Sequence, residues 1–319
     1  MNKNDIIARL SENNSTLLSF PDRGPWGDNR YRGNCSGWIH AFLIWKYRIR
    51  KMAELFAGGG TGSDVARDMG ISYIGADLNP NPVRDDIITC DATKDDVPDG
   101  FRDADLCYMH PAYGPIISWA GKAYEDPTGE LAKSDLGNMQ WDEFMHELNR
   151  IVMKYYAAMP SGAKMAILMG DVRKQGRFYS MFSDIVKPGE LEQVIIKAQH
   201  NCTSDGRRYA NANFVPIVHE TLMVIKKLEE LMIAFSLPAE YRLDIRDRKA
   251  VTWKDVVMAV LRSSGRTDLQ SLYDKVSSHK KAKENAHYRE KIRQTLQQLR
   301  DAGLVRQVCS GTWEPCREV

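Results

Sequence analysis

From residue 52 to residue 227, short apolar runs alternate with amphipathic stretches over more than half of the chain. "MAELFA" (52–57), "SYIGADL" (72–78), "DDIITCDA" (85–92), "DADLCYM" (103–109) and "AKMAILMGDV" (163–172) read as strands bounded by turn residues. "GSDVARDMG" (62–70), "WDEFMHELNRIVMKYYAAM" (141–159) and "MFSDIVKPGELE" (181–192) read as helices between them. "QVIIKAQH" (193–200) and "IVHETLMVIKK" (217–227) are two further strands with no helix between them, which predicts an antiparallel hairpin at one edge. The rhythm predicts an α/β fold with a doubly wound, mostly parallel sheet of seven strands. Ahead of it, residues 1–20 are a polar lead-in with one amphipathic segment, 20–38 a Gly/Pro/Arg-rich loop, and "IHAFLIWKYRI" (39–49) an apolar helix.

The pattern changes near Leu228, where a connector containing Pro238 leads to three amphipathic helices. These are "TWKDVVMAVLRSSG" (252–265), "DLQSLYDKVSSH" (268–279) and "YREKIRQTLQQLRDAG" (288–303), followed by "LVRQVCSGTWEP" (304–315), two short strands around Ser310-Gly311. Three helices and a hairpin outline a small α+β winged helix. The expected organisation is a first domain over 1–228, a linker over 229–245 and a winged helix over 246–319.

Composition adds a partner class. Residues 246–319 carry 16 Lys+Arg against 9 Asp+Glu, a net of +7, while the remainder carries −5. A basic end on a mildly acidic body fits either a polyanion such as DNA or a solvated charged face. Winged helices serve DNA and protein contacts alike. Arg289, Arg293 and Arg306 are the candidate DNA-binding residues here, and Arg207, Arg208 and Tyr209 those of the polar segment 201–214, which reads equally as an exposed loop. No run approaches the roughly 18 apolar residues of a membrane span, and the six cysteines include no Cys-x-x-Cys pair, so neither a membrane, a disulfide framework nor a metal site is expected. Residues 1–14 lack the apolar core of a secretory signal, and a cytoplasmic protein is expected.

"ELFAGGGTGSDVA" (54–66) joins a strand to a helix through four glycines, a place where backbone N–H groups approach an anionic ligand. A P-loop would need lysine before Ser63. A dinucleotide fingerprint fails because Ser63 or Val65 stands where glycine or alanine belongs. A looser S-adenosyl-L-methionine loop remains. Asp77 ends the next strand, where a carboxylate accepts ribose hydroxyls. Asp91 ends the one after, placed either for an adenine amino group or as a helix N-cap.

"LFAGGGTG" followed by "HPAY" (110–113) makes the chain resemble the DNA amino-methyltransferases, which methylate adenine N6 or cytosine N4 and carry an (Asp/Asn/Ser)-Pro-Pro-(Tyr/Phe/Trp) motif. Within them it looks like a bacterial and prophage group with a His-Pro-Pro-Tyr variant. "PWGDNRYRGNCSG" (25–37), "GDVRKQGRFY" (170–179) and "VHETLMVIKK" (218–227) share that resemblance, which spans about residues 20–228.

The resemblance implies S-adenosyl-L-methionine as cofactor, held by Asn34, Ser36, Gly37, Phe56, Ala57, Gly58 and Gly60 together with Asp77 and Asp91. "GNCSG" (33–37) reads otherwise as a glycine-rich surface loop. The resemblance implies methyl transfer to adenine N6 of a flipped DNA base, at a catalytic His110, Pro111 and Tyr113. Neutral His110 would accept a hydrogen bond from the amine, the Pro111 carbonyl would be a second acceptor, and Tyr113 would stack on the base. Cytosine N4 is the alternative target. A second alternative is a winged-helix regulator with a vestigial methylase domain, favoured by Ala112 in place of the second proline. Asp171 and Arg173 are expected as a pair fixing either the target pocket or a loop, and Glu220 as a buried, paired acid. A homodimer and a restriction endonuclease partner are compatible with the family, and neither is legible in the residues.

Overall fold

The computed structural model describes residues 1–31, 33–114, 124, 126, 129–174, 176–200, 214–228 and 252–316. Arg207, Arg208, Tyr209 and the expected linker 229–245 lie outside the described residues. The chain divides into two compact units, Met1–Leu237 and Pro238–Val319.

The first unit opens with α1 (Lys3–Ser11), β1 (Leu17–Leu18) and α2 (Gly37–Tyr47). The alternating section is β2 (Lys51–Leu55), α3 (Thr61–Met69), β3 (Ser72–Asp77), β4 (Ile87–Thr89), β5 (Leu106–Met109), α4 (Trp141–Ala158) and β6 (Lys164–Met169). It closes with β7 (Val172–Lys174), β8 (Arg177–Tyr179), α5 (Met181–Asp184), β9 (Glu190–Ala198) and β10 (His219–Lys226).

The sheet order is β1-β9-β10-β6-β5-β2-β3-β4. β2 to β6 pair in parallel, and β10 runs antiparallel to both β6 and β9. This is the expected seven-stranded, mostly parallel sheet with its antiparallel edge hairpin, extended by the two-residue β1, which pairs parallel to β9. Side chains alternate across it. Ala53, Leu55, Cys107, Met109, Met165 and Ile167 face the layer holding Phe144, Leu148 and Ile151 of α4. Met52, Leu106, Tyr108, Ala166 and Leu168 face Trp38 and Leu43 of α2 and Val65 of α3. α2 is apolar nearly all round and is buried from Gly37 to Ile44, as such a helix must be.

Two expectations change. The helix expected over 181–192 is the single turn α5, because Pro188 and Gly189 cannot continue it and β9 already begins at Glu190. The segment 172–179, which shows no apolar alternation, forms the β7–β8 hairpin.

The second unit holds α6 (Trp253–Ser264), β11 (Thr267–Asp268), α7 (Leu269–Ser277), α8 (Lys280–Lys283), α9 (Tyr288–Asp301), β12 (Val305–Cys309) and β13 (Thr312–Pro315). Its three strands order as β11-β13-β12, and its core is Val257, Leu261, Leu272, Val276, Ile292, Leu296 and Trp313 among others. This is the expected winged helix, with the one-turn α8 and the two-residue strand β11 added.

Candidate functional site

The C-terminal ends of β2, β3 and β5 share one sheet edge, and the turns that leave them line an open cavity. Asn34, Phe56, Ala57, Gly58, Asp77, Asp91, His110, Pro111 and Tyr113 all stand on its wall. Ser36, Gly37 and Gly60, expected with them, do not. Ser36 is buried at the N-cap position of α2, its hydroxyl without a partner. Gly37 sits in the first turn of α2 against Trp26, and Gly60 caps the start of α3.

Backbone conformation shapes the glycine loop. Gly58 has φ 44° and Phe56 φ 67°, a region that costs a residue with a Cβ of order 1–3 kcal/mol and clusters at functional sites. Phe56 and Ala57 both donate to the Ala76 carbonyl, at 2.9 and 3.2 Å, which ties the loop to the end of β3. The segment before α2 docks on the same loop. Asp28 N–H donates to the Gly59 carbonyl at 2.8 Å, Gly27 N–H to Asp64 at 2.9 Å, and Thr61 to the Asn34 amide oxygen. Two motifs some 25 residues apart in sequence are thereby one wall.

Asp77 accepts from Gly58 N–H at 2.8 Å, from Asn79 N–H at 2.9 Å and from the Tyr124 hydroxyl at 3.2 Å. Burial lifts its carboxyl above the ordinary range despite these bonds. Asp91 behaves differently. It accepts from Thr93 N–H and Oγ1 at 3.0 and 2.6 Å and pairs with Lys94 at 3.0 Å, the local bonds of a capping residue. Burial would raise Asp91, but hydrogen bonds from Ser134, Thr93 and Lys94 hold it below the usual range. Tyr31 bonds Tyr124 at 3.2 Å across the cavity, a contact that its sequence position does not reveal.

At the end of β5, His110 Nε2 lies 2.8 Å from the Tyr113 hydroxyl, which donates to Glu220 Oε1 at 2.5 Å. Lys197 donates to the other Glu220 oxygen. Glu220 is thus the expected buried, paired acid, and its partners are Lys197 and Tyr113. Burial alone would raise Glu220; Lys197, His110 and the two hydrogen bonds hold it below the usual range. Burial would lower Lys197, and Glu220 raises it. His110 is pushed down to about 4, chiefly by burial, with Lys197 and His40 adding and Glu220 opposing.

These directions fix the protons. The one Tyr113 proton goes to the ionised Glu220, so the Tyr113 oxygen must accept from His110 Nε2–H. The imidazole is neutral and its lone pair is on Nδ1, to which no group bonds among the described residues. Gly170 permits this packing, because a Cβ there would lie 2.4 Å from the Tyr113 ring.

Sequence reasoning missed Lys197 and Glu54. Glu54 accepts from Tyr73 at 2.5 Å, lies 2.8 Å from His40 Nε2 and lines the cavity. Its signal was an acid inside an otherwise apolar central strand. The expected Asp171–Arg173 pair does not form. Arg173 instead lies over the rings of Phe178 and Phe214, at 5.4 and 5.3 Å.

In the second unit, α9 buries Ile292, Thr295, Leu296 and Leu299 and leaves Arg289 and Arg293 exposed. Arg289 lies over Tyr273 at 5.4 Å, Arg293 pairs with Glu290 at 3.5 Å and Arg306 with Glu314 at 2.5 Å.

Residues 252–314 match the sequence family described as the Dam-replacing HTH domain. No curated protein matches the chain. Among solved structures the chain is similar to TrmN from Thermus thermophilus, at 15% identity over 62% of this chain and 50% of that one, TM-score 0.36. A presumed DNA modification methylase, also from Thermus thermophilus, shows 16% identity over 42% and 47%, TM-score 0.24. A SAM-dependent methyltransferase from Methanosarcina mazei shows 11% identity over 59% and 98%, TM-score 0.34. The chain spans about half the length of the first two of these proteins. No described helix is long and apolar enough to cross a membrane.

Proposed function

We propose that this chain transfers a methyl group from S-adenosyl-L-methionine to N6 of an adenine flipped out of DNA. One observation carries the reading. A neutral histidine with an uncommitted Nδ1 opens onto the same cavity as a glycine loop and two strand-end carboxylates.

The wall fits the cofactor's chemistry. A carboxylate offers about four acceptor sites, and three on Asp77 are taken, so a ribose hydroxyl has the fourth or replaces the long Tyr124 bond. Phe56, Leu78, Ala92 and Leu136 supply apolar surface for a purine. Asp91 meets the adenine amino group with the lone pairs that Thr93 and Lys94 leave. When bound, the cofactor supplies an electrophilic methyl on a sulfonium sulfur.

The chain's own task is to prepare a poor nucleophile, an exocyclic amine whose lone pair is spread into the ring. His110 Nδ1 accepts one N–H and the Pro111 carbonyl the other, which draws the nitrogen toward tetrahedral geometry. With a pKa near 4, His110 accepts a hydrogen bond without holding a proton. It therefore orients the amine, and the proton leaves to solvent. Tyr113, packed on Gly170, closes the base pocket and fixes His110. The second unit adds affinity through Arg289, Arg293 and Arg306. The exposed pairs of Arg293 and Arg306 are worth about 0–1 kcal/mol and exchange readily for phosphate.

The test is incubation of DNA with isotopically labelled cofactor, then digestion to nucleosides and mass spectrometry. N6-methyladenine is the expected product. N4-methylcytosine would move the target to the other amine, and no methylated base from a protein that binds the cofactor would leave only a DNA-binding role.

A further inference from the structure

β7 and β8 leave the sheet immediately after β6, through Gly170 and Asp171. β6 runs parallel to β5 as its neighbour, so the hairpin starts at the same sheet edge as the His110 turn. Its root is fixed beside that turn. Gly170 lies against the Tyr113 ring, and Tyr179 packs on Trp141 at 4.9 Å. Trp141 in turn backs Gly114, where an added Cβ would sit 3.2 Å from its ring.

The outer part has a different chemistry. Arg173, Lys174, Arg177 and Phe178 are exposed, Phe178 by 48% of its surface. None of the three cations makes an ion pair among the described residues. Several cations elsewhere in this unit, such as Arg50, Arg84 and Lys164, are paired with carboxylates, so a run of three without one is a local feature of this hairpin. No acid occurs between Val172 and Ser180. Arg173 lies over two rings, Phe178 and Phe214, and Arg177 lies over Tyr179 at 4.9 Å. Unpaired guanidinium groups stacked on aromatic rings are pre-ordered donors, whose ordering entropy is already spent before a partner arrives.

We propose that the hairpin Val172–Tyr179 grips duplex DNA around the target nucleotide, with Arg173, Lys174 and Arg177 on phosphates and Phe178 against the base stack. The inference deepens the reading of this unit as a base methyltransferase and rests on it. An acidic protein would satisfy the cations but offers no flat surface for an exposed phenyl ring. Nucleic acid presents both closely spaced anions and π faces. An apolar wedge beside an extruded base also fills the gap that flipping leaves in the stack.

The experiment uses the full chain and a short labelled duplex, with affinity measured over a range of salt concentrations. For Lys174→Ala/Arg177→Ala, affinity should fall about ten- to a hundredfold at moderate salt, and the slope of log K against log salt should shrink by about two. Phe178→Ala should keep that slope and lower kcat/KM for DNA methylation about tenfold, with Phe178→Leu restoring most of it. Cofactor affinity, measured by calorimetry, should be unchanged in every variant and reports that each is folded. An unchanged affinity and slope in the double variant would overturn the proposal. So would a loss confined to an RNA of the same length. If the wild-type protein methylates no base while the double variant still loses DNA affinity, the methylation reading fails and the DNA-gripping hairpin stands.

Discussion

Tyr113→Phe separates two roles that the proposed mechanism gives to a single residue. The substitution keeps the ring, and with it the packing on Gly170 and any stacking on a base. It removes only the hydroxyl, which accepts from His110 at 2.8 Å and donates to Glu220 at 2.5 Å. Without that oxygen, His110 Nε2–H has no acceptor, and the proton is no longer held away from Nδ1. Glu220 also loses a donor in a buried position, where a hydrogen bond to a charged group is worth about 1.5–3 kcal/mol. If half to all of that reaches the transition state, kcat falls roughly three- to a hundredfold, at 1.36 kcal/mol per factor of ten.

Cofactor affinity should stay within about twofold, because the hydroxyl touches no residue of the glycine loop, and the melting temperature should drop by several degrees, as expected for a cost of that size. The assay is single-turnover transfer of labelled methyl to DNA, with Tyr113→Ala as the control that also removes the ring. A Tyr113→Phe protein with wild-type kcat would refute the hydroxyl relay and return Tyr113 to a stacking role alone. A rise in KM with kcat unchanged would refute it as well, since the relay acts on the acceptor and not on DNA affinity.

The low pKa of His110 makes a second prediction. An ordinary histidine would lose its acceptor lone pair below about 6.5, whereas activity here should persist through pH 5 and fall near 4. Between 6.5 and 4 the unfolded chain binds a proton that the folded chain refuses, so stability falls with pH across that window, by up to about 3 kcal/mol. Denaturant titrations of His110→Asn should lose that slope, and an equally steep slope would place the low pKa elsewhere. Ala112→Pro restores the second proline of the motif at a residue whose amide donates to no backbone carbonyl among the described residues. Stability should rise by about 0.4–1 kcal/mol and kcat should hold within about threefold, whereas a tenfold loss in either assay would mean that this turn requires a φ proline cannot adopt.

What could be read ahead of the structure follows the range of each interaction along the chain. The strands and helices of the sheet were legible because their apolar periodicity is local, and "HPAY" because its residues are adjacent. The role of Tyr113 was only half legible. Its hydroxyl answers to Glu220, 107 residues away, and Glu220 in turn to Lys197. That last pair depends on register. β10 sets Glu220 directly opposite Lys197 on β9, and a slip of one residue would put the two side chains on opposite faces of the sheet. The connection between those strands is too long for a turn type to fix their register, so only the folded sheet decides it. The same limit hid the hairpin at 172–179, whose cations are informative only once they are seen to lack ion pairs among the described residues beside the His110 turn. Tyr113 thus joins a short-range motif to a long-range ion pair. A chain that had abandoned catalysis would have no reason to maintain Lys197 and Glu220 buried and paired behind it, because a buried pair adds little stability over apolar residues of the same size. Ala112 departs from the second proline of the motif, but the chain of contacts from Lys197 through Glu220 and Tyr113 to His110 behind that turn is complete, as the proposed transfer requires.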